Sequence, residues 1–225
     1  MKMNMKKTLL IIGCILATSQ TFSQDRKGFI GIGFGSATPL GDFASTSGNY
    51  DKAGYASAGA SFNFNFHYKL NEWGGLSISS IGAANGMAVD KAFPNAIGGV
   101  SVDKPSSASC FLIGGYLKKE SFPLYGKIQI GYGSVKTAEL SDATSTLKQS
   151  DATYGLAYGI GLGALFTLSD RWAITAAIDY IACNATPSGV YAVSKTTGAH
   201  SSGSTTFSYG QTYISSQIGI GYMFK

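Results

Sequence analysis

Few residues in this chain could do proton, nucleophile or metal chemistry. His67 and His200 are its two imidazoles. His67 sits beside Tyr68 in an alternating segment with no serine spaced to face it, and His200-Ser201 falls in a Gly/Ser-rich stretch. A serine hydrolase needs nucleophile, base and orienting acid within mutual reach, and no spacing here assembles them. There is no metal-ligand cluster, phosphate-cradling loop or nucleophile elbow, so the sequence predicts no enzyme, no cofactor and no metal. What is chemically distinctive is a set of polar residues on one parity of alternating segments: Asn63, Asn65, His67, Lys127, Gln129, Asp179 and Gln217. Lys127 and Asp179 carry opposite charges, and an enclosed charge without a partner is costly. The two are expected to share a structural, noncatalytic network with Gln129 and Gln217.

The elements that must hold these residues are β-strands. From Phe62 to Lys69, four aromatics alternate with Asn63, Asn65, His67 and Lys69, which on a strand gives one aromatic and one polar face. The same rhythm marks eight segments: Gly28 to Gly35, Gly54 to Leu70, Trp73 to Ile81, Ala108 to Lys118, Leu124 to Lys136, Tyr154 to Phe166, Trp172 to Tyr180, and Tyr213 to Phe224. Short turns follow the second, fourth and sixth. Long polar connections follow the others, among them Ser36 to Asp51, Gly82 to Ser107 and Asn184 to Thr206. Alternating short and long connections suit an antiparallel meander across a membrane, and most segments approach the nine to eleven residues or so that a tilted membrane strand needs. The expected fold is therefore all-β, an eight-stranded antiparallel up-and-down transmembrane β-barrel.

Orientation follows from charge. An Arg or Lys on a lipid face near the midplane costs about 2–4 kcal/mol, and the apolar parity of the second, fifth, sixth, seventh and eighth segments carries no charge. Lys69, Lys127 and Asp179 all take the opposite parity. The third and fourth segments are less regular, because Ser77, Ser79 and Ser80 interrupt one and apolar residues occupy both faces of the other. Tyr68, Trp73, Phe166, Trp172, Tyr222 and Phe224 form an expected interface girdle at the short turns, and Phe34, Tyr132, Tyr154 and Tyr180 another at the long loops. Trp172 and Tyr180 lie roughly 20 Å apart after tilt, near the expected apolar band of about 25 Å. A soluble exported lipocalin-like barrel is the alternative fold, with both faces exchanged. Eight strands leave an interior just wide enough for side chains, and the inward glycines either house Tyr125, Tyr213, Lys127 and His67 or leave a narrow wet passage.

Lys2, Lys6 and Lys7 precede an apolar run from Thr8 to Ala17 and small residues at Ser19 and Ser23. This describes a signal peptide, residues 1–23, removed on export, with 24–225 as the barrel domain. The run is short of the 20 or so apolar residues of a membrane helix, and Ile11-Ile12-Gly13-Cys14 follows too brief an apolar stretch for lipid attachment. The formal charge of +5 drops to +2 without those lysines, 14 bases against 12 acids, which removes any electrostatic footprint for nucleic acid. Cys110 and Cys183 fall in different segments near the same rim. Export permits a disulfide if their Cα atoms come within about 7 Å; two small buried side chains are the other reading.

The chain ends Gln217-Ile218-Gly219-Ile220-Gly221-Tyr222-Met223-Phe224-Lys225. The spacing of Gln217, Gly219, Tyr222 and Phe224 resembles the C-terminal signal of bacterial outer-membrane barrels, and Gly35 to Phe43, ending Pro39-Leu40-Gly41-Asp42-Phe43, resembles an opening found in such proteins. Lys225 after the last aromatic departs from the pattern. The chain from 24 onward thus resembles small outer-membrane barrels of the OmpA/OmpX type. The resemblance implies a porin-like protein of the Gram-negative cell envelope, residing in the outer membrane, in contact with outer-membrane lipid and handled by the barrel assembly machinery. The expected role is structural or surface interaction, with a surface ligand met by the long extracellular loops. A narrow channel or small-ligand barrel acting through the polar lumen is the alternative.

Overall fold

The computed structural model describes residues 26–47, 52–94, 99–118, 122–201 and 206–225. The expected signal peptide, 1–23, lies outside the described residues. The ring strands are β1 (Gly28–Pro39), β2 (Ala56–Asn71), β3 (Gly74–Met87), β5 (Ser106–Leu117), β6 (Leu124–Lys136), β9 (Thr153–Thr167), β10 (Trp172–Cys183) and β12 (Gln211–Phe224). The long connections carry β4 (Ser101–Lys104), β7 (Glu139–Ser141), β8 (Ser145–Gln149) and β11 (Val190–Ser194), with single helical turns α1 (Gly41–Ala44) and α2 (Val89–Ala92).

The expectation of one eight-stranded transmembrane barrel and nothing else is corrected. The fold is all-β with 12 strands in two sheets: a ring in the order β1-β12-β10-β9-β6-β5-β3-β2, and a four-stranded sheet β11-β8-β7-β4. The ring is imperfect, because its register slips between Ala56 and Gly59 and between Lys69 and Asn71 where β2 meets β3. Ring strands each have two antiparallel neighbours, β1 pairing with both β2 and β12, so backbone amides that lipid could not satisfy are paired. The extra strands escape a sequence reading because segments of 3 to 5 residues are too brief for alternation to register among glycines and serines.

Local chemistry sets the short turns. Asn71 accepts the amides of Trp73 and Gly74 on Oδ1 at 2.9 and 3.1 Å, an Asx turn that reverses the chain between β2 and β3. Ser169 Oγ accepts the Trp172 amide at 3.3 Å between β9 and β10. At the other end, the second sheet is joined to the ring by a buried cluster of Phe43, Ala56, Val190, Phe207 and Tyr209, with Leu147 packed against it.

The ring is apolar outside and polar within. Ile128, Ile218 and Leu162 are 68%, 71% and 72% exposed, while Asn63, Asn65, Lys127, Gln129, Asp179 and Gln217 are buried. In water this distribution would be unfavourable on both counts, since apolar burial stabilises and buried charge costs. Among the described residues no helix is long and apolar enough to cross a membrane, which says nothing of crossing by strands.

Candidate functional site: the ring interior

The interior is built on the glycine face of β9. Gly161 is the direct cross-strand partner of Asp179 on β10 and of Lys127 on β6. With no Cβ between them, Lys127 Nζ reaches Asp179 Oδ1 at 3.1 Å, both side chains almost wholly buried. A Cβ on Gly161 would collide with that carboxylate oxygen. The contact has ion-pair distance but not hydrogen-bond direction, and both Asp179 oxygens lack a hydrogen-bond donor. One glycine along, a Cβ on Gly163 would strike the Tyr125 ring; on Gly159 it would meet Ile181 and Leu112.

From the ion pair the network runs sideways. Lys127 Nζ donates to Asn65 Oδ1 at 3.3 Å, and Ser79 Oγ stands 2.7 Å from the same oxygen and 3.0 Å from Gln129 Oε1. Gln129 Nε2 donates to Ser77 Oγ at 3.0 Å. Asn65, Lys127, Gln129 and Asp179 therefore come together, tied by Ser77 and Ser79. Gln217 does not join them: its amide donates to Ser215 Oγ, which is 2.8 Å from Ser61 Oγ, a separate cluster. Asn63 lies on that side, since a Cβ on Gly33 would approach both Asn63 Oδ1 and Gln217 Oε1.

His67 stands apart, toward the short turns. Its ring is 2% exposed and enclosed by Phe29, Tyr116 and Tyr125 at centroid distances of 5.9, 4.9 and 5.0 Å, and neither ring nitrogen has a hydrogen-bond partner. It lines a cavity of about 110 Å³ at the short-turn mouth, with Arg26, Tyr116, Leu165 and Met223 also on its wall. His200 stacks on Tyr191 beside the second sheet at 5.0 Å. Among the described residues no group of His, Cys, Asp and Glu is arranged to hold a metal.

Toward the long loops the interior turns apolar. Ile81, Leu112, Val135, Ala157, Ile181, Tyr213, Cys110 and Cys183 form one buried cluster. Beyond it Asn85 Nδ2 donates to the carbonyls of Ala37 and Ser57 at 2.9 and 3.0 Å, and Gln211 Nε2 to that of Lys136 at 3.0 Å. The lumen is thus a stack of an aromatic cage, a charged layer, an apolar layer and a second polar layer. Sequence reasoning missed Ser61, Ser77, Ser79 and Ser215. Ser77 and Ser79 sit at period two, which is the signal that could have found them.

The terminal residues occupy the ring's outer rim. Phe224 stacks on Phe66 at 6.0 Å, and a Cβ on Gly28 would run into the Phe224 ring. Trp172 meets Tyr222 edge to face at 5.6 Å. Gly219, on the inner parity, lets the Ile32 carbonyl and Thr175 approach its backbone. Trp73 and Trp172 are exposed, while Tyr68, Phe166 and Tyr180 are half-buried.

No family model matches this chain, and no curated protein matches it. Solved structures do. The crystal structure of Ail, the attachment invasion locus protein of Yersinia pestis, aligns over 89% of this chain and 100% of its own, at 16% identity and a TM-score of 0.51. A major outer membrane protein from Thermus thermophilus aligns over 88% of this chain and 99% of its own, at 10% identity and a TM-score of 0.55. At such identities the likeness is one of fold, and it does not single out the OmpA/OmpX type. The chain shares the all-β fold of small bacterial outer-membrane proteins.

Proposed function

We propose that this chain is an outer-membrane protein, exported by its leader, that acts at its long-loop face as a structural or surface-interaction element. The observation that carries this reading is the inverted distribution of side chains. A buried Lys127–Asp179 pair inside a wall of exposed isoleucines and leucines suits acyl chains outside, because only there does an outward apolar side chain cost nothing. Export supplies the route, and the rim aromatics Tyr222 and Phe224, with Gln217 and Gly219, are the features the assembly machinery would meet.

The loop face is favoured over the lumen by the apolar layer. A solute crossing the ring would have to displace Leu112, Ile181 and Tyr213, all buried, whereas the second sheet presents exposed residues such as Ser101 and Lys104 on β4. The cavity beside His67 supports the other reading, a small-ligand barrel, at one mouth only.

Fractionation tests residence: the chain should stay with the outer membrane through salt washing and leave with detergent, migrating differently on gels before and after heating. Release by salt overturns the membrane reading. Planar bilayers test the lumen, where no steady conductance is expected; steady conductance would replace the loop-face role by a channel. Surface binding that survives deletion of residues 139–149 and 190–194 would remove the second sheet from that role.

A further inference from the structure

Cys110 and Cys183 come from strands that do not pair with each other. Cys110 lies on β5 opposite Gly133 of β6; Cys183 lies on β10, with Ala157 of β9 between it and Gly131 of β6. Their sulfurs nevertheless converge. A Cβ placed on Gly133 would stand 2.5 Å from Cys183 Sγ and 3.0 Å from Cys110 Sγ, so both sulfurs occupy the space that the missing side chain leaves. In the structure both are free thiols, brought side by side over Gly133. Both residues are buried, within the apolar layer that fills the upper lumen.

We infer that Cys110 and Cys183 form a disulfide across the ring interior, over Gly133, and that this bond fastens β5 to β10 through the apolar layer. Each thiol gives up a proton and together they give up two electrons as the Sγ–Sγ bond forms. The oxidant is a disulfide of the exported compartment, carried by a protein or a small thiol, which leaves as two thiols. Nearby side chains favour the bond in a simple way: Leu112, Val135 and Ala157 exclude water and give reductants no path once it has formed. The functional consequence is a locked layer. Strand separation here would have to break a covalent link, so the lumen stays filled while the loops engage their partners. The inference rests on the proposed export only for its oxidant.

The test is thiol counting on the full chain extracted from cell envelopes in detergent, alkylated in denaturant without reductant. The peptides carrying Cys110 and Cys183 are expected as one crosslinked species that reduction separates, with neither cysteine alkylated. Alkylation of both overturns the inference. A second measurement separates this from failure of export: in the chain refolded into detergent micelles with oxidised glutathione, the peptides carrying Cys110 and Cys183 should again appear as one crosslinked species, with glutathione on neither. Stable glutathione adducts on each cysteine overturn the pairing wherever the chain resides. The Cys110→Ser variant, refolded in the same way, should leave Cys183 open to alkylation in denaturant, a gain of one label over the unsubstituted chain.

Discussion

Lys127 and Asp179 meet across a strand that belongs to neither, each directly opposite Gly161. The glycine makes the pair, and the pair makes the interior electrically neutral at that level. Removing one partner of a buried pair typically costs about 3–5 kcal/mol, because the other charge is left without compensation. Lys127→Met alone is therefore expected to lower stability by about that amount, measured as the urea midpoint for loss of the unheated gel form in detergent. The double variant Lys127→Met, Asp179→Leu should recover most of the loss. Equal loss in the single and the double variant would show that packing, not charge, governs the site.

Gly161→Ala should disrupt the same site without touching a charge. The new methyl would occupy the position of Asp179 Oδ1 and stand 2.8 Å from Lys127 Cε. Overpacking of a filled interior costs about 1–3 kcal/mol. Gly82→Ala is the control, since a Cβ there meets nothing within 4 Å. The same urea titration should place Gly161→Ala below the parent chain and Gly82→Ala level with it.

Parity carries the sequence reading far where strands are regular. The inward set Asn65, Lys127, Gln129 and Asp179 follows from period-two alternation and the cost of charge on a lipid face, and the structure gathers these four. It fails where both faces are apolar. On β5, Cys110 and Leu112 point inward while Phe111 and Ile113 are exposed, a distinction that hydrophobicity cannot make because the lumen itself has an apolar layer. Parity alone assigns Gln217 to the charged network; it gives the face but not the height, and the register of β12 on β10 sets Ser215, not Gln217, opposite Asp179, with the Gln217 amide turned to Ser215. The second sheet is invisible for another reason. Two of its three pairings join loops far apart in sequence, β11 with β8 and β7 with β4, which no local pattern records, and the third, the β7–β8 hairpin, pairs too few residues for alternation to show.

That second sheet contains a pH-sensitive turn. Between β7 and β8, Asp142 Oδ1 accepts the amides of Thr144 and Ser145, both at 2.7 Å, and the Thr144 hydroxyl at 3.0 Å. These donors favour the carboxylate and hold its pKa down to about 2, below the ordinary aspartate value of about 3.9. The unfolded turn therefore binds a proton at higher pH than the folded one. Its stabilising contribution is fully present above about pH 4 and is lost as pH falls through about 2. Amide exchange in Thr144 and Ser145 should stay slow, after correction for intrinsic rates, from about pH 7 to about pH 4 and quicken below that. Asp142→Ala should show fast exchange throughout. Protection of these amides that persists unchanged to about pH 2 in the parent chain would remove Asp142 from the turn's stability.

The orientation of the ring can be tested at one position on its outer wall. Ile128 lies midway along β6 between Leu124 and Tyr132, is 68% exposed, and pairs with the outward Ile160 on β9. Its neighbour in sequence, Lys127, is buried in the network. A lysine added at 128 would thus share a strand with a lysine that the fold already tolerates, differing only in the face it occupies. In lipid, Ile128→Lys should cost about 2–4 kcal/mol, as expected for a cation near the bilayer midplane, while Ile128→Leu should cost less than about 1.5 kcal/mol. In water the order would reverse, because an exposed isoleucine replaced by lysine improves solubility and leaves stability nearly unchanged. Folding into phospholipid vesicles, followed by urea titration of tryptophan fluorescence from Trp73 and Trp172, separates the outcomes. A lysine variant as stable as the parent in vesicles would place the outer wall in water and would overturn the membrane reading together with the loop-face role that depends on it.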